Sequence, residues 1–432
     1  MDAIEYLFSL EPLGMKFGLT GIRALVAALG HPQRRYRRII VAGTNGKGSV
    51  TAMTEAALRA AGHRTARFTS PHLARLEERF VIDGRDIATD ALRDAADAVR
   101  RASARLLAAG DLSGPPTFFE ATTAVAFEAF RRADVEVAVV EVGLGGRLDA
   151  TNVDPSMAAA ITRIDRDHED LLGTDVATIA REKAGVIHDG MTVVLGDPTP
   201  VVVEVVEEVC RTRRATLVTA DRARVRAASA GGRARLAITT GRRHHGPVQL
   251  GLRGAHQIEN AVTAVLLLDE LDARGLAVPV AAVESGLTSA RWPGRLEVVQ
   301  VGGAVVLFDA AHNPGGARAL AAYVADAHPE GMTVIFGASR DKDIRGMLTA
   351  LTPVTTAFVL TEARNPRACP SSLLEEMAAS VAPGVPRVRF EVASQALEWA
   401  LARSPHACVA GSIFLVGDLR TWTLARGGVA EA

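Results

Sequence analysis

The chain has 432 residues, 48% of them hydrophobic, which is too long for one core and too apolar for a disordered chain. Basic and acidic residues both number 49, and a net charge of zero offers no basic face for nucleic acid or an anionic membrane. No signal-peptide pattern opens the sequence, no apolar run is long enough to cross a bilayer, and Cys210, Cys369 and Cys408 form no metal-binding pattern, so a cytoplasmic protein is expected.

Only four of the 49 basic residues are lysine, namely Lys16, Lys47, Lys183 and Lys342. Arginine is the default cation here, so a lysine can mark a place where a slim amine that can lose its proton is needed.

In chain order, RRIIVAG (37–43) reads as a buried strand and GSVTAMTEAALRAAG (48–62) as a helix ending at Gly62. Between them lies GTNGKGS, a strand–glycine–lysine–hydroxyl–helix order that suits phosphate. It departs from G-x-x-x-x-G-K-[ST] by Gly48, which separates Lys47 from Ser49. An ordinary glycine-rich turn is the alternative.

TARFTS (65–70) reads as a strand, 88–109 and 118–133 as helices, 135–143 and 157–164 as strands, and 175–187 as a helix. MTVVLG and VVVEVVEEV continue an alternation that predicts a parallel α/β sheet. Residues 222–252 read as a small antiparallel edge sheet and 255–271 as a helix. RWPGRLEVVQ (291–300) marks a boundary. Beyond it AVVLFDAAH, MTVIFGAS, TAFVLTEA and SIFLVGD read as strands of a second series. The expected architecture is α/β: a P-loop parallel-sheet ATP-binding domain over 1–292 and a smaller Rossmann-like domain over 293–432. The basic runs 34–38 and 242–245 read as solvated surface.

Glu141, at a strand's carboxyl end, suits Mg²⁺, although a satisfied structural carboxylate fits equally. His168 falls near the same sheet edge and, with Ser49 and Glu141, makes a donor set that suits a second metal. Lys183, in REKAGV, reads either as half of a surface ion pair or as an amine able to form a carbamate with CO₂. In the second domain Asp309, His312 and Lys342 fall at strand ends.

Together GTNGKGS, SPHLARLEERF, EVGLGGRLDATN, DHEDLLGTDVATIAREKAGVI, GAHQIENA, RWPGRLE, DAAHNP and FGASRDKD resemble the folylpolyglutamate synthase and dihydrofolate synthase family of Mur-ligase-like enzymes. The interposed Gly48 is typical of that branch. The resemblance implies that ATP phosphorylates a carboxylate and that L-glutamate attacks the acyl phosphate. It implies L-glutamate, dihydropteroate and reduced folates as substrates, and a monomer is expected. By motif, Thr44, Asn45, Gly46, Lys47, Gly48, Ser49, Asn260, Arg295, Asp309 and His312 contact ATP. Ser49, Glu141 and His168 hold Mg²⁺ at two sites, and Lys183 is carbamylated, with Lys47, Lys183 and His168 as the catalytic set. Ser70, Pro71, His72, Phe119 and Asp149 are expected at the pterin side, and Arg79 and Ser412 at the incoming glutamate. Ala310 stands where glycine is common, and Arg163 and Arg166 where less charge is usual. Two alternatives remain: polyglutamylation only, or another carboxylate acceptor. A nucleotide switch without ligation is a third reading.

Overall fold

Buried strands and amphipathic helices alternate along the chain in the computed structural model, which describes residues 2–431 apart from Met15, Phe17, His168 and Thr174. Two compact units result. The first comprises Met1–Val225, Ile238–Gly246 and Glu259–Ser289, and the second Arg226–Ala237, Pro247–Ile258 and Ala290–Ala432.

The first unit is built on an eight-stranded sheet. Its strands are β1 (Arg37–Ala42), β2 (Thr65–Phe68), β3 (Phe80–Ile82), β4 (Arg85–Asp86), β5 (Val137–Glu141), β6 (Ala158–Ile161), β7 (Thr192–Leu195) and β8 (Thr216–Thr219). Their order is β4-β3-β2-β5-β1-β6-β7-β8. All pairs from β2 to β8 are parallel, and β3 and β4 extend one edge antiparallel. The central strands are buried on both faces, so they read as unbroken Val, Ile and Ala runs. One face packs Phe68, Ala138 and Val140 against the helices Thr89–Ala109 and Phe118–Arg132. The other packs Ile40, Ile161 and Leu195 against Val176–Ala184 and Pro200–Thr212.

β9 (Arg224–Ala230), β10 (Arg233–Thr239) and β11 (His244–Gln249) form a separate three-stranded sheet. They are not an edge of the large one, as the sequence had suggested.

The second unit carries a seven-stranded sheet of β12 (Glu297–Val301), β13 (Ala304–Phe308), β14 (Met332–Phe336), β15 (Thr355–Leu360), β16 (Arg387–Arg389), β17 (His406–Ala410) and β18 (Val429–Ala430). The order is β16-β15-β14-β17-β13-β12-β18, parallel from β16 to β13. SIFLVGD is not a strand: Ile413–Ala425 is a helix with Ser412 as its N-cap, and the strand is the preceding HACVA. Leu415, Val416 and Leu419 of that helix are all buried, which removes the 3.6-residue polar signal.

The basic runs are not plain solvated surface either. Arg38 is buried and donates to the carbonyls of Thr151, Asp154 and Pro155. Arg243 and the buried His245 both meet Asp269.

Candidate active site

Parallel sheets gather ligands beyond the carboxyl ends of their strands, where helix N-termini also point. β1 ends at Ala42, and residues 43–46 lead directly into the helix Lys47–Ala60. The loop is anchored to the segment after β6: the Thr44 and Asn45 amides donate to the Arg163 carbonyl at 2.9 and 3.1 Å. The Thr44 hydroxyl donates to the Asp165 carbonyl at 3.0 Å. Thr162 donates from Oγ1 to the Asn45 carbonyl at 2.8 Å. Thr162 was not singled out in the sequence, although a hydroxyl at the end of the AAAIT run was its visible signal.

Gly46 is the N-cap at φ 92°, in the left-handed region, and a Cβ there would collide with the Asn260 amide oxygen. Asn260 is 214 residues downstream of Gly46 in the numbering, yet it bounds the loop.

Two lysines converge on this loop. Lys47 Nζ donates to the carbonyls of Gly43 and Thr44, both at 3.1 Å. Lys183 Nζ donates to the Gly43 carbonyl at 2.8 Å. Lys183 is 4% exposed, which rules out the surface ion-pair reading. It is its neighbour Glu182 that makes such a pair, with Arg147 at 3.2 Å. Burial, and then the Lys47 charge, push the Lys183 amine down to about 7. The close approach of the helix Val176–Ala184 to the GLGGR loop makes this placement possible: a Cβ on Gly146 would lie 2.6 Å from the Lys183 carbonyl oxygen.

Glu141 closes β5, in register with Val41 of β1, and is 5% exposed. Its Oε2 accepts the Ser70 amide at 3.2 Å, which ties the SPHL segment to the same edge. Ser49 is also buried, two residues into the loop's helix. A hydroxyl and a carboxylate are the hard oxygen donors that Mg²⁺ takes. His168 lies outside the described residues.

Further along the edge, Arg79 donates from Nε to His72 Nδ1 at 2.8 Å, and its guanidinium lies 5.0 Å from the centre of the Phe118 ring. Burial lowers both groups, with the adjacent Arg79 charge adding to the effect on His72; His72 falls to about 4 and Arg79 to about 10. His72 is therefore a neutral acceptor and Arg79 remains a cation near pH 7. Phe119 sits in the first turn of its helix, 6.0 Å centre to centre from Phe68 and against Gly143. Asp149 spends both carboxylate oxygens on the chain itself: one accepts the Gly143 and Leu144 amides, the other the Thr151 amide and hydroxyl. It shapes the 143–149 loop. Burial pushes its pKa upward against those bonds.

In the second unit, Asp309 follows β13 and accepts the amides of Leu296 and Ala311, both at 2.9 Å. Its buried carboxyl is raised by desolvation and lowered by the Arg295 charge. His312 Nδ1 lies 2.9 Å from the Ala310 carbonyl. The Gly411 amide donates to the Ala311 carbonyl at 3.0 Å, which draws Ser412 to the edge where Asp309 and His312 sit. Lys342 follows β14, with its amide donating to the Ser339 carbonyl at 3.2 Å.

Residues 294–413 match the family model of the Mur ligase glutamate ligase domain. A Mycobacterium tuberculosis dihydrofolate synthase/folylpolyglutamate synthase is 40% identical over 373 residues, which cover 81% of this chain and 75% of the relative. The Mycobacterium tuberculosis folylpolyglutamate synthase complexed with ADP and AMPPCP superposes with a TM-score of 0.90 at 35% identity, covering 98% of this chain and 99% of that one. A bifunctional folylpolyglutamate synthase/dihydrofolate synthase with Mn, AMPPNP and L-glutamate bound superposes with a TM-score of 0.82 at 30% identity, covering 98% of each chain. The chain spans about half the length of some curated relatives, such as 51% of a probable bifunctional folylpolyglutamate synthase/dihydropteroate synthase of Halobacterium salinarum. On the strength of the Mycobacterium tuberculosis match, the chain belongs to the dihydrofolate synthase/folylpolyglutamate synthase family, among the Mur-type ligases.

Proposed function

We propose that this chain is a cytoplasmic ligase that joins L-glutamate to dihydropteroate and to reduced folate polyglutamates, using ATP and releasing ADP and phosphate. The observation that carries the reading is the convergence of Lys47 and Lys183 on the Gly43 carbonyl, at a loop bounded by Asn260 and beside a strand that ends in Glu141. The relatives' names, and the AMPPNP, Mn and L-glutamate of one solved relative, support the same chemistry.

A carboxylate is a poor electrophile, and phosphorylation supplies its leaving group. The backbone amides at the start of Lys47–Ala60 receive the phosphates, and Lys47 turns from its carbonyl partners to the negative charge developing on the transferred phosphoryl. The glutamate amine then adds to the acyl carbon, phosphate departs with its oxygen, and the ammonium loses its proton. Ser49 and Glu141 would hold Mg²⁺, with His168 as a further ligand. The ion supplies charge neutralisation on the phosphates when bound. Lys183, half-deprotonated near pH 7, attacks CO₂, releases a proton and becomes a carbamate anion. Arg79, a buried cation held by His72, is assigned to a glutamate carboxylate. Ser412 is assigned to L-glutamate by its motif alone. Ser70, Pro71 and Phe119 line the pterin side, with Asp149 shaping the loop beside them. Arg295, Asp309 and His312 are assigned to ATP, and the enzyme is assigned as a monomer.

The test is ADP release by the purified protein with ATP, Mg²⁺ and L-glutamate, adding 7,8-dihydropteroate or tetrahydrofolate in turn. Glutamate-dependent turnover with both is expected. Turnover with tetrahydrofolate alone would restrict the enzyme to polyglutamylation. ATP turnover indifferent to glutamate would return the reading to a nucleotide switch.

A further inference from the structure

The amino-terminal edge of the second unit's sheet carries a group of side chains that the ligase chemistry does not use. The helix Pro314–Ala327 ends at His328, whose amide donates to the Val324 carbonyl at 2.7 Å. The Gly331 amide donates back to the His328 carbonyl at 2.8 Å and closes a tight turn that presents Glu330. β14 starts just afterwards, at Met332, and pairs with β17, whose first residue is His406. Ser404 holds that strand end: its hydroxyl donates to the His406 carbonyl at 2.8 Å and accepts the His406 amide at 3.1 Å.

Three side chains thus meet from two adjacent strand starts. His328 Nδ1 lies 3.7 Å and His406 Nδ1 3.3 Å from Glu330 Oε1, and the three candidate ligand atoms lie within 4.8 Å of one another. A tetrahedral metal with bonds of about 2.0–2.1 Å separates its ligands by roughly 3.4 Å. The two imidazole–carboxylate separations already bracket that value. The imidazoles favour Zn²⁺, Co²⁺ or Ni²⁺ over Mg²⁺ and Ca²⁺, which seek oxygen. The side chain of His328 is 16% exposed, that of His406 36% and that of Glu330 56%, which leaves a route for an ion from solvent. Five residues of strand, roughly 16 Å, separate this edge from the one that carries Asp309 and His312.

We propose that His328, Glu330 and His406 form a site for Zn²⁺ or a similar transition-metal ion, with one coordination position left to water. It pins a helix end to two strand starts and is separate from the Mg²⁺ of catalysis.

The full chain, in excess Mg²⁺ to fill oxygen-rich sites, is titrated with Co²⁺ and followed by visible absorption. One equivalent should bind with the intense bands of low-coordinate Co²⁺. His328→Ala and His406→Ala should each weaken binding by about tenfold or more. Zn²⁺ should raise the Tm of the parent but not of these variants, and glutamate-dependent ADP release should be unchanged by them. Glu330→Gln, at an exposed position, provides the same loss of affinity if a histidine variant folds poorly. Equal Co²⁺ affinity and spectrum in parent and variants, or no saturable uptake at micromolar Co²⁺, would overturn the site.

Discussion

Lys183 shows how one side chain's meaning depends on its burial. REKAG allowed either an ion pair or a reactive amine, and the hydrogen bond to Gly43 at 4% exposure removes the first. Between about pH 7 and the ordinary lysine range, the unfolded chain holds a proton here that the folded chain has released. Stability contributed by this group therefore rises with pH across that window, and below it the cost of burying the cation is constant. If Lys183 forms the proposed carbamate, its formation follows the same direction: at fixed dissolved CO₂, the ¹³C carbamate signal should grow as pH passes upward through about 7. Lys183→Arg keeps the charge but cannot form a carbamate, and turnover should fall about 100-fold with the fold retained. Full activity in that variant would remove the carbamate from the mechanism. If Glu141 holds Mg²⁺ as proposed, Glu141→Ala removes a metal ligand and should lower kcat by roughly 100-fold or more. Unchanged kcat at saturating Mg²⁺ would reassign Glu141 to holding Ser70.

The opening loop is the element where sequence and structure agree most closely. Strand, glycines, lysine and helix were legible because strand burial, helix spacing and glycine punctuation are local properties. The crowding of Gly46 by Asn260 is not local, since the two residues are brought together by the packing of distant helices. Gly46→Ala must place a Cβ in that contact at a φ that L-residues avoid, a strain of about 1–2 kcal/mol before any clash. ADP affinity, measured by calorimetry, should fall at least about tenfold, and an unaltered Kd would mean that the loop relaxes without cost. The C-terminal helix Ile413–Ala425 illustrates the opposite case. Its apolar residues face the core on several sides, and periodicity cannot distinguish a short buried helix from a buried strand. The isolated three-stranded sheet was misplaced for a related reason: alternation shows a strand, but not which sheet will pair with it.

Over the whole molecule, each unit has its own core. Phe130 and Phe358 are fully buried in different clusters that share no residue. Phe130→Ala and Phe358→Ala should each cost about 3–5 kcal/mol. In the double variant the losses should add to within about 0.5 kcal/mol. Urea unfolding followed by circular dichroism checks this, and a double loss far below the sum would reveal coupled cores. The amino-acid order was enough for the α/β class, two strand–helix series, the strand–glycine–lysine–helix loop and the family, because each rests on local propensity or on contiguous motifs. Long-range packing was needed to bury Lys183 beneath Gly43, set Asn260 against Gly46, turn Asp149 inward and gather His328, Glu330 and His406. These are contacts between segments tens to hundreds of residues apart, or orientations at the ends of elements, and such distances close only when the sheets and helices pack.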